Sequence, residues 1–388
     1  MIYSSFKDKQ LSRLGFGGMR MPVTETRAID EIKATEMIDY SMANGINFYD
    51  TAYFYHGGES QSFLGKALSK YPRDSYYLAN KFPGNHMRYE NGGFYTECSW
   101  AGMNDRPFSG VEEVFEWQIK KCGVDFFDFY MLHDVSERTY ALYTDEKLGI
   151  ADYFIEQKRL GRIKHLGFSS HGRADIIDKF LNWRNFCEFA LIQLNYLDWV
   201  LQDAAKKYEV LTKHGLPVFI MEPMRGGKLA APGAEAERLL KAARPDDTPA
   251  SWSFRFIQSL PNAAVVLSGM STMEQLKENI EIFSKNDPVT NVEKEILNKV
   301  IETMADVVPC TFCRYCDVCP KNLDIPKLIN MYNELTYGES WTVNAVLKLM
   351  TDDEKPGVCT KCGKCSNLCP QEIDVVDVMV KFSGLINK

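Results

Sequence analysis

The 388-residue chain carries a formal charge of −7 and is 45% hydrophobic and 25% charged. That is the balance of a globular protein long enough for two domains, and its sign argues against a nonspecific nucleic-acid partner or an anionic membrane surface. No apolar run reaches membrane-spanning length, and Met1-Ile-Tyr-Ser-Ser-Phe-Lys holds no signal-peptide core, so the expected location is the cytoplasm. In chain order, strand-like runs are predicted over residues 14–18, 46–50, 76–81, 126–133, 163–169, 189–195, 218–222 and 264–268. Helix-period segments lie between them, among others at 34–44, 60–70, 110–122, 145–160 and 203–214. Strict β-α alternation predicts a parallel sheet, and eight strands in this length predict a (β/α)8 TIM barrel over residues 1–290. An open doubly wound sheet is the alternative, but Gly15-Phe-Gly17-Gly18-Met lacks the glycine spacing that fold carries after its first strand.

The connection from Phe82 to Ser109 is unusually long and holds His86, Tyr89, Tyr95 and Trp100, which predicts an ordered flap over the barrel mouth. A helix over 291–305 leads into a cysteine-rich tail, where further helices are predicted over 325–335 and 343–349. The tail, residues 291–388, is expected to form a second, smaller and mainly helical domain.

In a parallel barrel, catalytic groups collect at the C-terminal ends of the strands. Asp50, Lys81 and His133 end the second, third and fourth predicted strands, and Tyr55 lies in the loop after Asp50. Together they suggest proton donation to a carbonyl. A lysine held by an aspartate is expected to lower the tyrosine pKa, and a histidine beside them to orient the substrate oxygen. Singly, each has a plainer reading: a helix cap, a surface cation, a satisfied core histidine.

Eight of the eleven cysteines fall in two blocks. Cys310, Cys313, Cys316 and Cys319-Pro form the first; Cys359, Cys362, Cys365 and Cys369-Pro form the second, which has the bacterial ferredoxin spacing. Three thiolates on one loop and a fourth leading away predict two [4Fe–4S] clusters with crossed ligation. Cys310, Cys313, Cys316 and Cys369 then hold one cluster, and Cys359, Cys362, Cys365 and Cys319 the other. Paired zinc sites would leave the third cysteine and the Cys-Pro of each block surplus, and a disulfide framework does not suit a reducing compartment. Cys122 and Cys187 read as buried small hydrophobes.

Asn47-Phe-Tyr-Asp50-Thr-Ala-Tyr-Phe-Tyr55-His-Gly-Gly-Glu59-Ser resembles the aldo-keto reductase signature, as do Ala79-Asn-Lys81-Phe and Tyr130-Met-Leu-His133-Asp. The resemblance runs from about residue 10 to 285, through Gly167-Phe-Ser169-Ser170-His171, Ile192-Gln193-Leu-Asn195-Tyr196 and Ser268-Gly-Met-Ser-Thr with Glu278-Asn279. The tail resembles that of the family's branch with a ferredoxin-like domain. The resemblance implies Tyr55 as general acid supported by Asp50, Lys81 and His133. It also implies NAD(P)H, with Ser169, Ser170 and Gln193 around the nicotinamide carboxamide and residues 268–279 at the adenosine end. The substrate implied is a small molecule, a carbonyl compound.

Two departures bear on that cofactor. Met221 stands where the family usually stacks an aromatic ring, and Glu222 then lies near the phosphates, unfavourably unless Arg225 or Lys228, beside Gly226, offsets it. Gly269 and Gln275 replace the usual basic pair for a 2′-phosphate. Clusters exchange single electrons whereas nicotinamide delivers a hydride, so three readings stay open. In the first, carbonyl reduction uses NAD(P)H and the clusters brace the tail. In the second, the barrel binds a flavin or a substrate fed by the clusters, with a redox partner protein supplying electrons. In the third, the chain is an electron-carrying module without catalysis. The first is the expectation carried forward.

Overall fold

A computed structural model of the protein describes residues 1–98, 103–304, 308, 310, 316–369 and 372–386. Trp100, Cys313, Ala305, Pro370 and the last two residues lie outside the described residues.

The chain opens on an antiparallel hairpin, β1 (Tyr3–Phe6) and β2 (Lys9–Ser12), then enters the barrel at β3 (Leu14–Gly17). β4 (Phe48–Asp50) and β5 (Tyr77–Phe82) follow. Three antiparallel strands come next: β6 (Met87–Glu90), β7 (Gly93–Cys98) and β8 (Met103–Phe108). The barrel resumes with β9 (Phe127–Leu132), β10 (Ile163–Ser170), β11 (Ala190–Gln193), β12 (Val218–Met221) and β13 (Ala263–Ser268). The order β10-β11-β12-β13-β3-β4-β5-β9 closes on itself, parallel at every pairing. All eight predicted strands are barrel strands, and the helices fall between them as the apolar periodicity requires. One reason they start where they do is local: Asp30 accepts from the Lys33 N–H to cap Glu31–Ala43, and Thr272 from the Gln275 N–H to cap Met273–Ile282.

The barrel floor is aromatic. Phe6 of the hairpin lies 5.3 Å from Phe129 and 5.8 Å from Phe219, Phe48 lies 5.0 Å from Phe129, and Phe189 lies 4.7 Å from Phe219. All five rings are buried. The hairpin thus fills the N-terminal end of the barrel and leaves the opposite end for chemistry. At that opposite end, the predicted flap leaves the end of β5 as a sheet. Asn91 and Gly92 both have positive φ (50° and 82°) at the β6–β7 turn, and Phe94 packs edge-on to Phe82 at 6.0 Å.

By contacts, one compact unit comprises residues 1–196, 203–230 and 250–290, and a second comprises 197–202, 231–249 and 291–388. The second is helical over Asn291–Met304, Ile325–Tyr337, Trp341–Leu349, Lys364–Asn367 and Val375–Ile386, with no strand among its described residues. Its core gathers Leu323, Ile325, Leu328, Ile329, Val375, Val378, Met379 and Phe382. Among the described residues no helix is long and apolar enough to cross a membrane.

Candidate active site and cysteine centre

The strand register brings the predicted ionisable residues to one end of the barrel. Asp50 is the last residue of β4, Lys81 the next to last of β5, and His133 follows β9. Lys81 Nζ donates to both Asp50 carboxylate oxygens at 2.6 Å, to the Thr51 carbonyl at 2.9 Å and to the Tyr55 hydroxyl oxygen at 3.3 Å. Asp50 and Lys81 are 3% and 1% exposed, so this is a buried ion pair whose charges face each other out of water. Burial pushes the Asp50 carboxyl up and the Lys81 ammonium down, and their mutual attraction opposes both shifts.

Tyr55 departs from the expected direction. Its pKa stands well above the ordinary value, because burial outweighs every other influence and the Asp50 and Glu222 carboxylates add to it. The hydroxyl is therefore held protonated. His133 is neutral: burial, then the Lys81 charge, then His86 and His171 push it well below its usual value. Its Nδ1 is buried without a hydrogen-bond partner among the described residues, while its carbonyl accepts from the Tyr143 hydroxyl at 2.6 Å. His86 and His171 also have pKa values lowered chiefly by burial, and neither was singled out from the sequence as a mouth residue acting on His133.

Ser169 and Ser170 end β10 but differ in role. Ser170 Oγ donates to the Val135 carbonyl at 2.6 Å and accepts from the Gly172 N–H at 3.0 Å, which fastens two loops. Ser169 Oγ accepts from the Asp134 N–H at 2.9 Å and keeps its own O–H to give. Gln193 ends β11 and hydrogen-bonds His171; Met221 ends β12, partly exposed. Glu222 follows in the left-handed region (φ 56°), its carbonyl accepting from Asn195 Nδ2 at 2.9 Å, and Arg225, also left-handed (φ 46°), is buried. Ser268 Oγ accepts from Asn279 Nδ2 at 3.0 Å, and the Gln275 side chain accepts from the Ser271 N–H at 2.8 Å. Glu278 is partly exposed on the same helix.

The cation beside Glu222 is one the sequence reasoning missed. Arg20, in the loop after β3, places Nη2 3.8 Å from Glu222 Oε1. No sequence signal marks it, because its neighbour is distant in the chain: a Cβ on Gly269 would lie 2.9–3.0 Å from the Arg20 stem.

In the second unit, Cys319 of the first block and Cys359, Cys362 and Cys365 of the second line one pocket, walled by Leu323, Ile325, Val375 and Met379. The Lys361 N–H points at Cys359 Sγ at 3.4 Å. Cys362 is exposed and its thiol is pushed down, chiefly by the Lys364 N–H and the Thr360 hydroxyl. Cys310 and Cys369, half-buried, and Cys316, buried, pack against the same apolar core. Among the described residues no three His, Cys, Asp or Glu side chains close on a single metal ion. A cubane would bind each thiolate at a separate iron, and Cys319, Cys359, Cys362 and Cys365 are the residues of this pocket that would hold one. Cys122 and Cys187 are buried, and burial pushes both thiols up.

With this geometry in view, a family profile described as the Aldo/keto reductase family matches residues 13–302. The uncharacterized oxidoreductase YqkF of Bacillus subtilis is 24% identical over 71% of this chain and 88% of its own. The NADH-specific methylglyoxal reductase of Escherichia coli is 25% identical over 67% of this chain and 85% of its own. Among solved structures, the holo form of aldo-keto reductase AKR11C1 from Bacillus halodurans superposes with a TM-score of 0.59 at 25% identity, covering 77% of this chain and 96% of that one. An aldo-keto reductase from Klebsiella pneumoniae in complex with NADPH shares the fold with a TM-score of 0.59 at 14% identity, over 78% of this chain and 96% of that one. The chain belongs to the aldo/keto reductase family.

Proposed function

We propose that this protein reduces the carbonyl group of a small molecule with NAD(P)H, using Tyr55 as proton donor, and that its C-terminal unit holds two [4Fe–4S] clusters. The observation that carries the first half is the orientation of one buried ammonium. Lys81 donates to the Tyr55 oxygen at 3.3 Å, so the phenolic proton is free to be given elsewhere. A bound nicotinamide would supply the hydride. As the substrate oxygen gains negative charge, Tyr55 gives it a proton. The phenolate left behind faces Lys81, which Asp50 keeps charged and aimed. Neutral His133 positions the same oxygen.

The free hydroxyl of Ser169 and the amide of Gln193 suit a nicotinamide carboxamide, with Met221 in place of a stacking ring. Glu222, Arg225 and Gly226 face the phosphates in this reading, and Ser268, Gly269, Gln275, Glu278 and Asn279 the adenosine. The relative named for NADH-specific methylglyoxal reduction supports both the nicotinamide and a carbonyl substrate. The pocket shared by Cys319 and the second cysteine block supports the crossed cluster. Clusters would supply single-electron transfer. Anaerobically purified protein should contain about eight irons per chain and no flavin, and should bind NADPH or NADH. A bound flavin without nucleotide binding would overturn the first half; an iron-free protein after anaerobic reconstitution would overturn the second.

A further inference from the structure

At the barrel mouth β5 outlasts one of its neighbours. β4 ends at Asp50, which pairs with Ala79. Along that edge the Tyr77 N–H donates to the Asn47 carbonyl at 2.7 Å, and the Ala79 carbonyl accepts from the Thr51 N–H at 3.0 Å. Lys81 is the next residue to face this edge, and its N–H and carbonyl lie past the end of β4. Two side chains take the place of the strand. Asn80 Oδ1 accepts from the Lys81 N–H at 2.8 Å. Gln118 Nε2 donates to the Lys81 carbonyl at 2.9 Å and to Asn80 Oδ1 at 3.2 Å. Gln118 stands on the helix Val111–Cys122, and its Oε1 accepts from the Tyr130 hydroxyl. Asn80 Nδ2 donates to Gln61 Oε1 at 2.8 Å. All four side chains are buried. A backbone N–H needs an acceptor and a carbonyl needs a donor, so the Lys81 peptide groups dictate which way round both amides sit.

We propose that Gln118 is a positioning residue for proton transfer: with Asn80 it stands in for the missing strand at Lys81 and so holds the ammonium in line with Asp50 and Tyr55. The inference rests on the carbonyl-reduction reading above. Lys81 reaches the Tyr55 oxygen, 3.3 Å from its Nζ, through a flexible four-carbon stem. Its aim depends on where its Cα stands, and Asn80 and Gln118 anchor the peptide groups on either side of that Cα. Gln118 itself acts only through Lys81. An apolar side chain of similar length leaves the buried Lys81 carbonyl without a donor, and the end of β5 must move to find one. A small displacement at this point carries the ammonium off the phenolate that forms on Tyr55.

Steady-state reduction of a carbonyl compound by the anaerobically prepared full chain tests this, beside direct titration with NADPH and NADH. Gln118→Met should lower kcat by about tenfold to a hundredfold, with KM and nucleotide affinity within about twofold of wild type. Gln118→Glu covers the case in which that variant does not fold, because it keeps the shape and the acceptor for Tyr130. Its carboxyl can donate to the Lys81 carbonyl only while protonated, and burial raises such groups to as high as about pH 8–9. Its kcat/KM should therefore fall as pH rises through that ionisation, on a limb that wild type lacks. Wild-type kcat in Gln118→Met, or a wild-type pH profile in Gln118→Glu, overturns the inference and leaves the carbonyl-reduction reading intact. Wild-type protein that reduces no carbonyl compound overturns both.

Discussion

The chemistry of the site turns on which proton each residue holds. Tyr55 is protonated because burial and two carboxylates oppose the phenolate, and His133 is neutral because burial and the Lys81 charge oppose the imidazolium. Both shifts carry the groups away from neutral pH in opposite directions. The competent state therefore spans a window that opens near the ordinary histidine value and closes where Lys81, pushed down by burial, loses its proton, and kcat/KM for carbonyl reduction should be flat from about pH 6.5 upward through neutral pH. A bell centred inside that window would assign the acid to another group. Asp50, Tyr55, Lys81 and His133 were legible in the sequence because strand ends can be counted, and a barrel presents strand ends on one face. The direction of the Tyr55 shift was not, since the lysine's pull was visible in the sequence and the depth of burial was not. Arg20 escaped for a related reason: it stands some 200 positions before Glu222 in the chain, and only the closed barrel brings the loops after β3 and β12 together.

At the scale of elements, each barrel strand announced itself as an apolar run, whereas the short hairpin and the inserted sheet did not. β1 and β2 have four residues each, too few for a period to stand out, although the Asn91-Gly92 turn was a readable hairpin signal. The hairpin matters to stability because Phe6 is enclosed by Phe129 of β9, Phe219 of β12 and Phe189, the residue before β11. Phe6→Ala should cost about 3–5 kcal/mol in denaturant unfolding, and a cost under about 1 kcal/mol would show the floor closes without it. The cysteine blocks read in the sequence as cluster ligands, and the proposed crossing needs Cys319 beside the second block, with which it lines one pocket. Paired variants separate crossed from block-by-block ligation. Cys319→Ala with Cys359→Ala strips two ligands from one cluster if ligation is crossed, so about half the iron should remain. Near-complete loss would mean that each block holds its own cluster.

The molecule as a whole keeps five of its histidines neutral. Of six, His56, His86, His133, His165 and His171 all have pKa values lowered chiefly by burial, His165 to about 4. The unfolded chain takes up these protons near pH 6.5 and the folded chain does not. This contribution to stability is therefore present above pH 6.5 and lost as pH falls from there toward about 4, each group adding up to about 1.4 kcal/mol per pH unit. Urea unfolding of His165→Gln beside wild type isolates one of them: their stability difference should shrink between pH 7 and pH 5, and a constant difference would refute the shift. The central claim concerns the other end of the barrel. Oxidation of NADPH or NADH by the anaerobic wild-type protein should depend on an added carbonyl compound, and Tyr55→Phe should lower kcat/KM by about 10²–10⁴-fold with unfolding unchanged. Carbonyl-dependent turnover that survives Tyr55→Phe undiminished would contradict the account.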